Sequence, residues 1–227
     1  MLGLEGRPEE RPERTPEPAV ERLDPVDAAI GVITAPSLSM RAIALARAWP
    51  IGLAIYIAIA LLNGFAGLTG TRQVPPVADP EVARVFETYF NAVQSPVGVL
   101  LNAVLFTPLL LVIGTGIFYL VARLLGGWGS YGGLLATQAF AAVPSFLLAP
   151  LTLLANILRV PVLGGLFSLV FGIWTLVLIV IGIREGMALS TGRAVATLLI
   201  PFGVLVLLSC VLIVVVVALI AGSLANR

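Results

Sequence analysis

The segment REGMALSTGR, residues 184–193, interrupts a long apolar stretch with three charged side chains, Arg184, Glu185 and Arg193. Guanidinium groups bind carboxylates and phosphates through paired hydrogen bonds. The segment could therefore anchor the chain at anionic lipid headgroups, or it could form a short docking surface for a protein. Glu185 discriminates between the two, because an anchor has no use for a carboxylate that faces anionic lipid. We also expect that Glu185 pairs with Arg193 and holds the loop between them closed.

A second stretch, GWGSYG at residues 127–132, matches the pattern G-x-G-x-x-G letter for letter. A dinucleotide site of this kind needs a preceding strand and a following helix in a soluble unit. The flanking sequences are long and apolar, as in membrane helices. We therefore interpret the glycines as a tight loop, with Trp128 and Tyr131 anchored at the membrane interface.

The chain lacks the side chains from which most catalytic and metal sites are built. It contains no His and no Lys, so all thirteen basic residues are Arg, and its one cysteine is Cys210. A Ser or Cys nucleophile needs a neighbouring base, and one cysteine without histidine cannot form a metal site. We expect no enzymatic activity, no cofactor and no metal, and we interpret Cys210 as a packing residue.

Composition places most of the chain in a membrane. Hydrophobic residues make up 59% and charged residues 11% of the 227 residues, and mean hydropathy is +1.07. Each crossing of the hydrocarbon core needs about 20 apolar residues. The sequence predicts an all-α membrane protein whose third span is bent or broken by Pro144 and Pro150. The five predicted transmembrane helices run over about 50–68, 100–122, 133–156, 162–183 and 195–222.

The regions outside the spans differ in composition. Residues 1–27 are rich in Pro, Glu and Arg, and we expect a disordered tail there. Residues 28–49 form an amphipathic approach segment, in which Leu38, Leu45 and Trp49 share one side that suits the bilayer surface. Apolar residues recur at helical spacing over 82–93, which predicts a loop helix that lies against the membrane or caps the spans.

Small and neutral polar residues within the spans suggest contacts between helices. Gly164, Ser168 and Gly172 recur every four residues in the fourth span, a pattern that lets helices pack closely. Asn102 and Gln138 indicate a different function, a cleft between spans two and three that passes a small neutral solute. No charged residue lies at the centre of any span, which argues against a proton-coupled pump.

The positions of the arginines predict the orientation of the chain in the membrane. If the N-terminus is inside, the inner ends of the spans carry one arginine more than the outer ends, which favours a cytoplasmic N-terminus. The segment 184–193 is then a cytoplasmic loop. The inner arginines are Arg41, Arg47, Arg123, Arg184 and Arg193, and the outer ones are Arg72, Arg84, Arg159 and Arg227.

Several stretches resemble the prokaryotic branch of the YIP family, the Ypt/Rab-interacting integral membrane proteins. These are VITAPSLSMRAIALARAWP before the first span, VARLLGGWGSYGGLLATQAFAAVPSFLLAP, and WTLVLIVIGIREGMALSTGRAVATLLI. The resemblance covers about residues 30–221. Eukaryotic members carry an Asp-Leu-x-Gly-Pro element where this chain reads ITAPSLS, so a Rab partner does not follow. The positions that match the family are Trp174, Gly182, Leu189, Arg193 and Ala194.

The resemblance implies a five-span fold, a cytoplasmic N-terminus and a role without catalysis. We therefore expect a scaffold or membrane-organising protein that binds partners at the cell membrane. A permease-type protein that moves a small neutral or lipid-like solute is the alternative. The expected partners are membrane lipids and an unidentified membrane or cytoplasmic protein; a homo-oligomer is compatible with the sequence, and nucleic acid is not expected.

Overall fold

A computed structural model describes residues 24–70 and 79–225, with backbone only for residues 161 and 216–225. Most of the predicted tail, residues 1–23, lies outside the described residues, and its last residues already belong to the first helix. The described chain is helical and contains no strand. Its helices are α1 Pro25–Thr34, α2 Pro36–Ala46, α3 Trp49–Gly67, α4 Pro80–Val93, α5 Pro96–Leu101, α6 Thr107–Leu124, α7 Tyr131–Phe140, α8 Leu148–Ile157, α9 Pro161–Met187 and α10 Thr191–Ala225.

Five segments of the described chain are long and apolar enough to cross a membrane, which confirms the predicted fold class. The fourth span extends beyond its predicted end near residue 183, because α9 continues through Arg184 and Glu185 to Met187. Charged residues are tolerated there because the end of a span lies at the membrane interface. The five segments are Trp49–Gly67, Pro96–Leu124, Tyr131–Ile157, Val162–Met187 and Thr191–Val215.

The helix ends follow from local sequence. Seven of the α-helices have proline at one of their first two positions. In the six that do not continue directly from another helical turn, the missing N–H costs no hydrogen bond. Asp24, Asp79, Ser95 and Ser130 cap helices by accepting hydrogen bonds from N–H groups of the first turn. These caps set the starting points of α1, α4, α5 and α7.

Prolines also explain the two irregular spans. The third span is broken: α7 ends at Phe140, a 3₁₀ segment Val143–Leu147 contains Pro144, and α8 continues from Leu148. In the second span, a π-helical turn Asn102–Phe106 joins α5 to α6 just before Pro108. A proline has no N–H and its ring crowds the preceding turn, which accounts for both departures from α-helical geometry.

The short helix α7 is the centre of the bundle. It packs against α2, α3, α6 and α9, and every residue from Gly133 to Phe140 is buried. Small residues in the neighbouring helices make this possible. A β-carbon added at Gly182 of α9 would lie 3.1 Å from Thr137, and one added at Gly52 of α3 would lie 3.1 Å from the ring of Phe140.

The approach segment packs into this centre. Val32 of α1 and both Met40 and Ile43 of α2 are fully buried, in a cluster with Phe140 of α7 and Leu178 of α9. The side chains on the side predicted to face the bilayer, Leu38 and Leu45, are 75% and 76% exposed. The segment therefore has two apolar faces. The sequence pattern predicted the face of Leu38 and Leu45, but it did not predict the face that packs against protein.

The loop helix and the last span have few internal contacts. No residue of α4 is buried, so this helix does not cap the spans. Every described side chain of α10 beyond Leu198 is exposed or only partly buried. These surfaces are available to lipid.

Candidate functional site at the arginine face

One end of the bundle collects most of the described arginines. We call it the arginine face and define it as α2, the loop 125–130, the loop 188–190 and the ends of α6, α9 and α10 that these loops join. Hydrogen bonds tie the two loops and α2 to the ends of the spans. The arginines of this face are Arg41, Arg47, Arg123, Arg184 and Arg193.

Arg184 links three parts of the arginine face. Its Nη2 atom donates to Oγ of Ser37 in α2 at 2.7 Å and to Oε1 of Glu185 at 2.6 Å, and its Nε donates to the same Oε1 at 3.0 Å. Its Nη1 atom also lies 3.5 Å from Oγ1 of Thr191 at the start of α10. Arg184 and Glu185 are only 32% and 20% exposed. Arg184 therefore holds α2 against the end of α9.

The predicted pairing of Glu185 with Arg193 is wrong. Glu185 pairs with its neighbour Arg184, whereas Nη1 of Arg193 donates to the carbonyl of Leu125 at 3.4 Å. The extension of α9 to Met187 is the reason, because it keeps both Glu185 and Arg184 on the helix and places Arg193 beside the end of α6. The two arginines thus take separate partners on either side of the loop 188–190.

The loop with the G-x-G-x-x-G pattern packs on the end of α9. The N–H of Trp128 donates to the carbonyl of Met187 at 3.0 Å, and Gly129 lies so close to Gly186 that a β-carbon would overlap the Gly186 carbonyl. Gly126 takes a positive φ of 87°, which favours glycine. Helices α6 and α7 flank the loop, so the strand required for a dinucleotide site is absent from this part of the described chain.

The whole bundle, from the approach segment to the last span, matches one known family. A family model described as the Yip1 domain matches residues 30–224. This chain belongs to the Yip1 family. No curated protein and no solved structure matches the chain. As a Yip1-domain protein with five membrane-crossing helices, it is a multi-pass membrane protein.

Five positions match the family motif, and four of these residues make packing or hydrogen-bond contacts at the arginine face. Gly182 touches Thr137 of α7, and Leu189 and Ala194 are buried in a cluster with Met187. Arg193 braces the loop 125–130, as described above. Trp174 lies elsewhere, 38% exposed and stacked on Phe171 with ring centroids 6.4 Å apart. In this Yip1-domain protein the motif residues thus fix how the loops meet.

The predicted packing face of the fourth span makes few contacts within the chain. A β-carbon at Gly164 would lie 3.9 Å from Ala155 of α8, and one at Gly172 would meet nothing within 4 Å. Ser168 is exposed and donates to the carbonyl of Gly164 in its own helix. The close helix contacts of α9 are made instead by Gly182 and Gly186, which face α7.

The two polar residues proposed for a solute cleft lie apart. Gln138 is buried in α7, and its Nε2 donates to the carbonyl of Ile179 at 3.4 Å. Asn102 lines a pocket of about 310 Å³ together with Asn63 and Gln94, between α3 and the α4–α5 turn. Gln138 is not among the residues that line this pocket, so this pocket does not join the two amides.

Sequence reasoning missed a cleft on the arginine face. It measures about 610 Å³ and is lined by arginines of α2 and α6, by the loop 125–130 and by the end of α9. From the sequence alone, the contributing arginines indicate only the orientation of the chain. Nothing in their spacing along the chain showed that they meet. Within the described chain, no group of three His, Cys, Asp or Glu side chains could hold a metal ion.

Proposed function

We propose that this Yip1-domain protein belongs to the prokaryotic branch of its family and is a non-catalytic scaffold whose arginine face receives a protein partner. The observation that carries the proposal is the bracing of this face: Arg184 joins α2 to α9, and Trp128 joins the loop 125–130 to α9. A surface fixed in this way loses little conformational entropy when a partner binds. The Yip1 family is not a known enzyme family, which supports a role without catalysis.

We further propose that the arginine face and the N-terminus lie on the cytoplasmic side of the cell membrane. Five described arginines lie at the arginine face, against Arg84 and Arg159 at the opposite end. Cytoplasmic ends of spans carry an excess of arginine and lysine. The charge distribution of the described chain therefore favours this orientation.

Thiol labelling in intact cells tests the orientation. In a Cys210→Ser background, Ser190→Cys lies on the loop 188–190 and Thr88→Cys lies on α4, both at exposed positions. A membrane-impermeant maleimide should label Thr88→Cys and spare Ser190→Cys until the cells are opened. The reverse pattern would invert the proposed topology.

Crosslinking in native membranes tests the docking proposal. Glu185→Gln keeps the size of the side chain but removes its charge, and Arg193→Ala removes the positive charge at the other end of the segment. Because each charge-assisted hydrogen bond contributes about 1.5–3 kcal/mol, we expect roughly a tenfold lower yield of crosslinked partner for either variant. Arg159→Ala, at the opposite end of the bundle, should leave the yield unchanged.

The docking proposal fails if Glu185→Gln, Arg193→Ala and Arg184→Ala all capture the same partners as the unmodified protein. The segment 184–193 would then serve only to anchor the chain at the lipid headgroups. Equal amounts of each variant in the membrane are the necessary control, because Arg184 also holds α2. Insertion and topology should not change in Glu185→Gln under either outcome.

A second candidate function, binding and movement of a small neutral solute, is favoured by the pocket of Asn63, Gln94 and Asn102. The Oδ1 atom of Asn63 is buried there without a hydrogen-bond partner among the described residues. A buried acceptor in this state is costly and is a natural point for a ligand donor. Uptake of neutral solutes into proteoliposomes separates the two functions, because a scaffold shows none.

A further inference from the structure

The cleft on the arginine face brings three arginines together around one cavity. We propose that it binds the headgroup of an anionic phospholipid, with Arg41, Arg47 and Arg123 around the phosphate. Both proposals concern the arginine face, and Glu185 borders both sites, but the arginines assigned to the lipid are not Arg184 or Arg193 of the docking segment. The two proposals can fail independently.

The charge of the cleft points to an anion. Three guanidinium groups line it against one carboxylate, that of Glu185. This carboxylate already accepts two hydrogen bonds from Arg184. Arg41 and Arg47 are exposed and have no ion-pair partner in the described chain. Because arginine presents planar, paired donors, three such groups around one cavity match the oxygens of a phosphate.

Arg123 is the fixed member of the three. Its Nη1 atom donates to the carbonyl of Gly127 at 3.3 Å, and its guanidinium carbon lies 5.8 Å from the centre of the Tyr119 ring. These contacts hold the charge at the end of the second span before any ligand arrives. Arg47 ends α2 with a φ of 48°, a region that most residues other than glycine avoid. The end of α2 is thus set in a geometry that places Arg47 in the lining of the cleft.

The surroundings of the charges identify the anion as part of an amphiphile. Leu45 lines the same cleft and is 76% exposed, and Trp128 on its rim is 84% exposed. Tryptophan at the end of a membrane span characteristically lies at headgroup level. A phospholipid meets both kinds of lining, with its phosphate among the arginines and its acyl chains along the apolar side chains. A soluble phosphate would contact only the arginines and would leave the apolar side chains without a partner.

Binding measurements on the full chain in a neutral detergent test this proposal. The probes are dioctanoyl phosphatidylglycerol and dioctanoyl phosphatidylcholine, followed by native mass spectrometry and by the shift in melting temperature. We expect the phosphatidylglycerol to bind roughly tenfold more tightly, because arginines near a membrane surface attract anionic lipid. Added salt should reduce the difference through screening.

The variant Arg41→Gln with Arg47→Gln should abolish the preference for the anionic lipid. Both residues are exposed, whereas Met40 and Ile43 of α2 are buried, so the fold should be retained. The matched control, Arg84→Gln with Arg159→Gln, removes two arginines from the opposite end and should keep the preference. A gel-filtration profile and a circular dichroism spectrum identical to those of the unmodified protein are required of each variant.

Three results would overturn the proposal. The unmodified protein could bind both lipids equally, or the preference could survive loss of Arg41 and Arg47. In the third result, inorganic phosphate or glycerol 3-phosphate alone displaces the phosphatidylglycerol at a similar concentration, which would make the cleft a site for a soluble phosphate. Failure of soluble phosphate to compete, together with loss of the preference in the double variant, supports the lipid assignment.

Discussion

Replacing Gly129 with alanine should destabilise the protein by about 3 kcal/mol or more, a value typical of severe overpacking. The added methyl group would overlap the carbonyl oxygen of Gly186 and lie 2.7 Å from its carbonyl carbon. Both atoms belong to the backbone, so no side-chain rotation can relieve the clash. The loop 125–130 would have to leave the end of α9 and lose the hydrogen bond from Trp128 to Met187.

Thermal unfolding of the detergent-solubilised chain, followed by size-exclusion chromatography, measures this effect. For a chain of this length the loss corresponds to roughly 6–12 °C in Tm. Gly165→Ala and Gly172→Ala are matched controls, because a β-carbon at either position meets nothing within 4 Å. They should melt at or slightly above the temperature of the unmodified protein, since alanine favours helix. If Gly129→Ala melts together with these controls, the loop does not pack on α9 as described.

Replacing Phe140 with alanine should cost about 3 kcal/mol, the lower end of the range for such a truncation in a packed core. The ring is fully buried at the end of α7, and α3 approaches it through Gly52. In a membrane the loss comes mainly from missing van der Waals contacts, because lipid is as apolar as the core. The cavity would lie where the approach segment, α3 and α7 meet.

The matched control is Phe202→Ala in α10, because Phe202 is 52% exposed. Its melting temperature should stay within a few degrees of the unmodified protein, and Phe140→Leu should fall between the two alanine variants. Equal losses for Phe140→Ala and Phe202→Ala would show that burial at α7 does not determine stability.

The number of spans and the break in the third one could be predicted because they depend on local properties. Apolar length determines a membrane crossing, and Pro144 interrupts a helix wherever it lies. The faces of the helices could not be predicted in the same way. In α2, both the buried pair Met40 and Ile43 and the exposed pair Leu38 and Leu45 are apolar. When lipid and protein are both apolar, periodicity does not distinguish them.

The candidate site was only partly predictable for a related reason. The residues of the segment 184–193 were identified by their charge, but their partners depend on tertiary structure. Ser37, which binds Arg184, lies 147 residues away in sequence. The same holds for Gly172, whose small size permits a close contact without requiring one. The cleft with Arg41, Arg47 and Arg123 needs α2 and the end of α6 to meet, and no spacing of arginines encodes that meeting.

The position of the approach segment has a consequence for biosynthesis. Helices α1 and α2 leave the ribosome before any span, yet their buried residues Val32, Met40 and Ile43 pack on α7 and α9. The surface on which they pack is complete only after α9 has been synthesised and inserted. Until then we expect α1 and α2 to lie at the membrane surface, with their apolar sides against lipid. Helices α1 and α2 are therefore synthesised before the five spans but can dock on the bundle only after α9 has been inserted.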